Sequence, residues 1–133
     1  MEKSLNTIIL TNMCMLYDNN GNILVQNRIK HDWPGINFPG GHVEFNESLE
    51  EACIREMKEE TGFTINKLEF VGVYEWNLQE ERVRHLCILY KSNSYSGELK
   101  SSSEGKMFWI KPNEINKYPQ AIDFDKILKL MLQ

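Results

Sequence analysis

The sequence predicts one domain of mixed α/β (α+β) class, in which helices pack on the faces of a mixed β-sheet. Apolar, β-rich segments flank one strongly patterned amphipathic helix, and turn residues separate these segments. No linker, repeat or low-complexity tract interrupts the 133 residues. A chain of this length can bury a sizeable core, so we assign residues 1–133 to a single domain.

The apolar runs and turn clusters predict the element order β-β-β-α-β-β-β-α-α. A turn cluster at 18–22 lies between the first two strands and predicts that they form a hairpin. A Ser- and Gly-rich loop is expected at 94–104. The strands are predicted at 5–17, 23–29, 37–43, 67–76, 82–92 and 106–110.

The central helix has clear signals at both ends. Ser48 and Glu51 have the spacing of a capping box, which satisfies the first backbone N–H groups of a helix. Gly62 suits the left-handed position that ends a helix. The later helices are predicted at 112–115 or 112–117, and at 123–132.

One stripe of the central helix carries both apolar residues and acids, with successive residues placed about 100° apart. Its apolar members are Leu49, Ala52, Cys53 and Met57. Glu56 and Glu60 lie on the same stripe, and Glu59 flanks it. Burying these carboxylates is costly unless a cation neutralises them, and oxygen ligands suit Mg²⁺ or Mn²⁺. The spacing alone is also consistent with an acidic face turned to solvent.

The segment 41–63 fits a longer pattern, G-x5-E-x7-R-E-U-x-E-E-x-G-U, in which U is apolar. At average residue usage its fixed positions match by chance roughly once in 10⁸ starts. The matching residues are Gly41, Glu47, Arg55, Glu56, Met57, Glu59, Glu60, Gly62 and Phe63. This segment resembles the Nudix box. The segments at 38–41 and 104–109 also resemble parts of MutT-type Nudix pyrophosphohydrolases.

The resemblance implies the Nudix fold, an α/β/α sandwich with a mixed β-sheet. It also implies that the protein hydrolyses a nucleoside diphosphate linked to another group. Water attacks a phosphorus, and a divalent cation, Mg²⁺ or Mn²⁺, neutralises the developing charge. The implied metal ligands are Glu56, Glu60 and the carbonyl of Gly40.

Further acids and one arginine have roles implied by the same resemblance. Glu59 binds the metal or activates the attacking water, or it only adds negative charge to the site. Arg55 pairs with the carboxylates of the motif through its planar fork. Glu47 pairs with Arg55 or supports the metal ligands, unless it only interacts with the helix dipole. Glu104 binds metal or acts as general base, unless it is a surface acid, in which case Glu98 is the fallback.

Substrate contacts are expected around the glycine turn. Arg28 and His42 can hold phosphates, although a solvated arginine and a structural histidine fit the sequence equally well. Gly41 allows backbone to approach a ligand closely. Asn37 and Phe38 can line a pocket for the nucleobase, in which the amide hydrogen-bonds to the edge of the base and the aromatic ring stacks on its face. Alternatively, both residues belong to the core.

Asp123 is the last candidate for a substrate contact. The bacterial MutT family reads oxidised guanine partly through an asparagine near the start of the last helix. A loose alignment places Ile122 there, followed by Asp123 and Asp125. A carboxylate beside the base would accept from guanine N–H groups or, if protonated, donate. His31 and His85 have no matching spacing and are assigned no role.

The resemblance favours cleavage of a nucleoside triphosphate to the monophosphate and pyrophosphate, with 8-oxo-dGTP as the best single expectation. The alternatives within enzymes are ADP-ribose, a dinucleotide, a sugar nucleotide or a capped RNA end. A sensor of the same fold that binds a nucleotide without turnover is the alternative from another class. The retained glutamates of the motif disfavour it.

Composition narrows the partners and the compartment. The net charge is −4, from 15 basic and 19 acidic residues, which argues against a protein that coats nucleic acid. The cysteines are odd in number and far apart in sequence, so we expect reduced core residues in a cytoplasmic protein. No signal peptide or membrane span is expected. A homodimer is plausible from the family resemblance only.

Overall fold

A computed structural model of the chain describes residues 7–28, 34–78, 82–101 and 105–133. The strands within these ranges are β1 (Thr7–Leu16), β2 (Ile23–Arg28), β3 (Gly35–Asn37), β4 (Gly40–His42), β5 (Phe63–Leu78), β6 (Val83–Gly97) and β7 (Gly105–Ile110). The helices are α1 (Leu49–Thr61), a 3₁₀ helix (Pro112–Lys117) and α2 (Phe124–Met131). No helix in the described part of the chain has the length and apolar character that crossing a membrane requires.

The described strands form two sheets that lie between α1 and α2. The first has the order β4-β1-β6-β5 and is mixed, because β1 pairs with β6 in parallel and with β4 antiparallel. The second has the order β3-β2-β7 and is antiparallel. The predicted fold class, with a mixed sheet between helical layers, is confirmed.

The buried apolar residues form two clusters, one on the α1 side of the sheets and one on the α2 side. Leu24 packs in the α1 cluster with Cys53, while its neighbours Ile23 and Val25 pack in the α2 cluster with Phe124. Successive strand side chains point to opposite faces, so a strand between two helices is apolar throughout. The three cysteines, Cys14, Cys53 and Cys87, are buried free thiols.

The predicted hairpin of the first two strands is wrong. β1 and β2 belong to different sheets, and between them there is only an isolated bridge from Tyr17 to Ile23. The turn itself forms, because the carboxylate of Asp18 accepts from the backbone N–H groups of Asn20 and Asn22. After this turn β2 pairs with β3 and β7 instead, and long-range pairing of this kind has no local sequence signal.

Two other strand predictions are corrected. The strand expected at 37–43 is two strands in different sheets, because the chain leaves β3 at Phe38-Pro39 and joins the other sheet at Gly40. β5 and β6 are longer than predicted, and they pair from Phe63 to Gly97 at one end. The loop expected at 94–104 therefore begins as strand. The ring centroids of Phe63 and Tyr95 are 4.9 Å apart, and this aromatic contact between the two strands stabilises the extension.

The ends of α1 match the sequence prediction. Ser48 Oγ accepts from the N–H of Glu51, and the side chain of Glu51 accepts from the N–H of Ser48, so the capping box is complete. Gly62 closes the helix with φ 86°, in the left-handed region that favours glycine. These caps fix the register of the acidic stripe relative to the sheets.

Candidate active site

α1 places the carboxylate of Glu56 against the glycine strand β4. Ala52, Cys53 and Met57 are buried, as the stripe predicted, whereas Leu49 is exposed. On the flank of this apolar face, the Glu56 side chain is 13 % exposed and that of Glu59 is 58 % exposed. The cluster therefore runs from a largely buried carboxylate to one in solvent.

Arg55 binds several of these carboxylates at once. Its Nε and Nη2 donate to the two oxygens of Glu47, both at 2.7 Å, in a bidentate pair. Its Nη1 donates to Glu56 at 2.8 Å and to Glu59 at 3.2 Å. Nη2 also donates to the backbone carbonyl of His42, at 3.0 Å. One planar guanidinium thus connects α1, the loop before it and β4.

This hydrogen-bond network shifts the pKa values of its members. The hydrogen bond from Arg55 lowers the pKa of Glu47 to about 2, and the backbone N–H of Glu44 contributes. The pKa of Arg55 is raised, chiefly by its bond to Glu47. Burial raises the pKa of Glu56 above its ordinary value, although Arg55 opposes this, and the charges of Glu59 and Glu60 add to the rise.

The depressed pKa of Glu47 predicts a pH-dependent contribution to stability. This contribution is present above the unfolded value of 4.5 and is lost as pH falls from there toward about 2. We therefore expect Glu47→Gln to lower Tm at neutral pH. The Tm difference from the wild type should shrink as the pH falls from about 4.5 toward about 2. Thermal scans at several pH values test this, and a difference that is constant with pH would contradict it.

Bare backbone lies against the acidic cluster. A Cβ added at Gly41 would overlap the carboxylate of Glu56, and one added at Gly40 would overlap the backbone of Asn12. The N–H of Gly41 donates to Asn12 Oδ1 at 3.3 Å. Glycine at both positions is therefore what lets β4 fit between β1 and the Glu56 carboxylate.

The described residues offer oxygen ligands without a complete cage. Within them, no three His, Cys, Asp or Glu side chains converge as a metal cluster. Arg55 binds Glu56 and Glu59, and Gln26 Nε2 donates to Glu60 Oε2 at 3.4 Å. Glu104 lies outside the described residues, so its position relative to these acids is not part of this geometry.

A cavity of about 180 Å³ opens beside β4. Five of the residues predicted as substrate contacts line it, namely Arg28, Asn37, Phe38, Gly41 and His42. Gly40 also lies in its wall. The remaining lining residues are Thr11, Asn12, Met13, Trp76, His85 and Ile122. Thus the motif acids and the predicted substrate contacts meet at the same glycine strand.

Asp123 is not among the residues that line this cavity. Its carboxylate accepts from the hydroxyl of Tyr74 at 2.8 Å and lies 3.6 Å from Lys126 Nζ. Burial and the neighbouring Asp123 raise the pKa of Tyr74 to about 12. Asp123 also has φ 64°, and its exposed neighbour Ile122 lines the cavity instead. The structure therefore puts this carboxylate in a contact between β5 and α2.

The sequence analysis assigned no role to Trp76 or His85, although both side chains line the cavity. Trp76 and His85 are opposite each other in the antiparallel register of β5 and β6. Both strands were predicted, but their register was not, so nothing indicated that these rings meet at β4. A polar residue inside an apolar run, Asn12, was the one local signal available.

Comparison with known proteins agrees with the fold and the motif. The NUDIX domain family model matches residues 9–131. An ADP-ribose pyrophosphatase of Methanocaldococcus jannaschii is 36 % identical over 93 residues, which are 69 % of this chain and 54 % of that protein. A CTP pyrophosphohydrolase of Escherichia coli is 30 % identical over 100 residues, covering 74 % of this chain and 73 % of that protein. The chain thus spans about half the length of the first of these relatives.

A solved structure has the same fold. The MutT NUDIX hydrolase of Burkholderia pseudomallei superposes with a TM-score of 0.82 at 19 % identity, over 93 % of this chain and 98 % of that one. The likeness at this identity concerns the fold. Given the motif, the glycine strand beside it and the family match across almost the whole sequence, this chain belongs to the NUDIX domain family.

Proposed function

We propose that this protein is a metal-dependent Nudix hydrolase, which cleaves the pyrophosphate of a nucleoside diphosphate derivative. The single observation that carries the proposal is the Arg55 network, because one guanidinium orients Glu47, Glu56 and Glu59 beside a glycine strand. A solvated acidic face would not need such bonds. The products are a nucleoside monophosphate and either pyrophosphate or phosphate attached to the remaining group.

The residues present fit a divalent cation. Glu56 and Glu60 supply hard oxygen ligands, and the carbonyl of Gly40 is available on bare backbone, a set that suits Mg²⁺ and also Mn²⁺. A Cβ at Gly41 would meet the carboxylate of Glu56, so bare backbone lets this acid lie directly against β4. When bound, the cation supplies charge neutralisation at the phosphoryl oxygens and lowers the pKa of water.

The chain's own residues position the reaction. Arg55 fixes the rotamers of Glu47 and Glu56, and it holds the exposed Glu59 at 3.2 Å, where this carboxylate can still turn toward water. We assign Glu59 to orient and deprotonate the attacking water, with Glu104 as the other candidate base. Arg28 and His42, in the cavity wall, would hold the phosphates.

The finer expectation is a nucleoside triphosphate with an oxidised base, 8-oxo-dGTP. The names of the relatives keep ADP-ribose and CTP as competing substrates. We further propose a cytoplasmic protein without stable nucleic-acid or membrane partners, and its oligomeric state can be measured directly.

A substrate panel tests this proposal. Formation of the nucleoside monophosphate would be measured by chromatography with Mg²⁺, with EDTA, and with Mg²⁺ restored, for 8-oxo-dGTP, the normal triphosphates and ADP-ribose. We expect turnover that disappears with EDTA and returns with Mg²⁺. A ratio of kcat/KM of at least about tenfold for 8-oxo-dGTP over dGTP, which is about 1.4 kcal/mol, would support the finer expectation.

Either other outcome is informative. Preference for ADP-ribose, or equal rates for all triphosphates, would reject the expectation for 8-oxo-dGTP and leave the general hydrolase. Tight binding of one nucleotide without turnover of any would contradict the proposed enzyme and indicate a sensor.

A further inference from the structure

A buried amide on β2 contacts one of the acids of α1. Gln26 is 3 % exposed and ends the buried run of β2 that begins at Ile23. Its Nε2 donates to Oε2 of Glu60 at 3.4 Å. Burying an amide costs free energy unless the amide is hydrogen-bonded, so a polar side chain in this apolar run is accounted for by the contacts it makes.

The sheet register turns this amide toward α1. Leu24 packs in the α1 cluster, and Gln26 is two residues further along β2, so both side chains lie on the same face of the sheet. Met107, the partner of Gln26 on β7, also belongs to the α1 cluster. Gln26 is therefore a polar group in the apolar layer under α1, and it meets the last turn of that helix at Glu60.

Gln26 supplies a contact that the Arg55 network lacks. The guanidinium binds three motif acids, and within the described part of the chain no bond joins it to the fourth, Glu60. A neutral NH₂ donor orients a carboxylate without neutralising it, so the negative charge stays available to a cation. The bond from Gln26 uses only one of about four acceptor positions of a carboxylate.

The same face of β2 carries two residues of the cavity wall next to this amide. Arg28 follows Gln26 by two residues along the strand, and Asn37 is the partner of Gln26 on β3. Both line the cavity, and Gln26 does not. One short strand thus connects a proposed metal ligand with the arginine proposed to hold the phosphates, and it sets the distance between them.

We propose that Gln26 is a positioning residue, whose amide fixes the carboxylate of Glu60 relative to β2 and so relative to the substrate contacts on that strand. This inference rests on the proposed function, in which Glu60 binds the divalent cation. Gln26 acts through Glu60 and contacts neither the substrate nor the cation. A central strand suits this role, because ligands held by regular elements are placed more precisely than those on loops.

Gln26→Met tests the role, because methionine keeps the length of the side chain and removes the donor. The affinity for Mn²⁺, measured by electron paramagnetic resonance, should fall about tenfold. At subsaturating metal kcat should fall by a similar factor, while KM for the nucleotide stays within about twofold. Tm of the metal-free protein should stay unchanged or rise. A purely structural amide would instead lower Tm and leave the affinity for Mn²⁺ unchanged.

A double-mutant cycle with Glu60→Ala tests whether the effect passes through this acid. Once the carboxylate is absent, Gln26→Met should change the affinity for Mn²⁺ by less than about twofold. Gln26→Asn keeps an amide but withdraws it by one methylene, so the same loss as in Gln26→Met is expected. Asn27→Leu is the matched control, because Asn27 is the adjacent amide of β2 and is exposed. This control should bind Mn²⁺ like the wild type.

The hydrogen bond can also be followed without metal or turnover. In proton–nitrogen NMR spectra of the metal-free protein, the side-chain NH₂ signals of Gln26 should shift in Glu60→Ala. They should stay unchanged in Glu50→Gln, because Glu50 lies in the first turn of α1, at the other end of the helix. Signals that do not move in Glu60→Ala would contradict the contact itself.

The inference is overturned if both Gln26 variants bind Mn²⁺ like the wild type, or if Gln26→Met weakens binding equally with and without the Glu60 carboxylate. Both outcomes can occur while Glu60→Ala binds Mn²⁺ weakly and turnover requires metal, so the proposed function would stand. If Glu60→Ala bound Mn²⁺ like the wild type, the metal site of the proposed function would be wrong, and this inference with it. The two failures are therefore distinguishable.

Discussion

Replacing Glu60 with glutamine is expected to lower kcat/KM about 10³-fold, because the variant loses the charge of a proposed metal ligand, which would be worth several kcal/mol in the transition state. The substitution keeps the shape of the side chain and a carbonyl oxygen for Gln26, its hydrogen-bond partner at 3.4 Å. We therefore expect an unchanged Tm. Initial rates on the best substrate of the panel, with Mg²⁺ varied, measure the effect.

The matched control for this variant is Glu50→Gln. Glu50 is an exposed acid of the first turn of α1, away from the Arg55 network. Its substitution should leave the rate within about twofold, since surface changes rarely exceed ±0.5 kcal/mol. If both variants retained full activity, the α1 acids would not be the metal site, and the proposed mechanism would be wrong.

Arg55→Lys is expected to lower kcat by about 100-fold with a smaller change in KM. A lysine keeps the positive charge but loses the fork that binds Glu47 in bidentate fashion while it reaches Glu56 and Glu59. Residues that orient metal ligands without touching the metal typically contribute about 10–100-fold. Raising Mg²⁺ should restore only part of the rate.

Arg84→Lys is the matched control, since Arg84 bonds Glu75 at 2.7 Å but lies on β6 at an exposed site. It should behave like the wild type in rate and in Tm. Equal behaviour of the two lysine variants would mean that the guanidinium geometry at Arg55 does not position the acids, and would remove the observation on which the proposed function rests.

The local part of the site could be predicted from the sequence. The capping box and Gly62 follow from local spacing, whereas the bond between Glu47 and Arg55 was implied by the resemblance to the Nudix box. Within the helix, the helical period determines which side chains share a face. The predicted stripe was therefore accurate for the buried residues, and it failed for Leu49, which lies in the exposed first turn of the helix.

The sheet topology, and the parts of the site that depend on it, result from pairing between segments that are distant in the sequence. Nothing near β1 or β2 indicates that they join different sheets, and nothing near Asp123 indicates that Tyr74, 49 residues away, binds its carboxylate. His85 reaches the cavity because of its register with Trp76, which follows from irregular pairing of β5 and β6. Sheet register is set by packing of the whole domain, so single residues do not reveal it.

The most direct test of the account is binding of Mn²⁺, followed by electron paramagnetic resonance, to the wild type and to the Glu60→Gln and Glu50→Gln variants. The account predicts that the wild type and Glu50→Gln bind Mn²⁺ alike, and that Glu60→Gln binds at least about tenfold more weakly. Equal binding by all three proteins, or no binding by the wild type, would contradict the assignment of the α1 glutamates to a metal site.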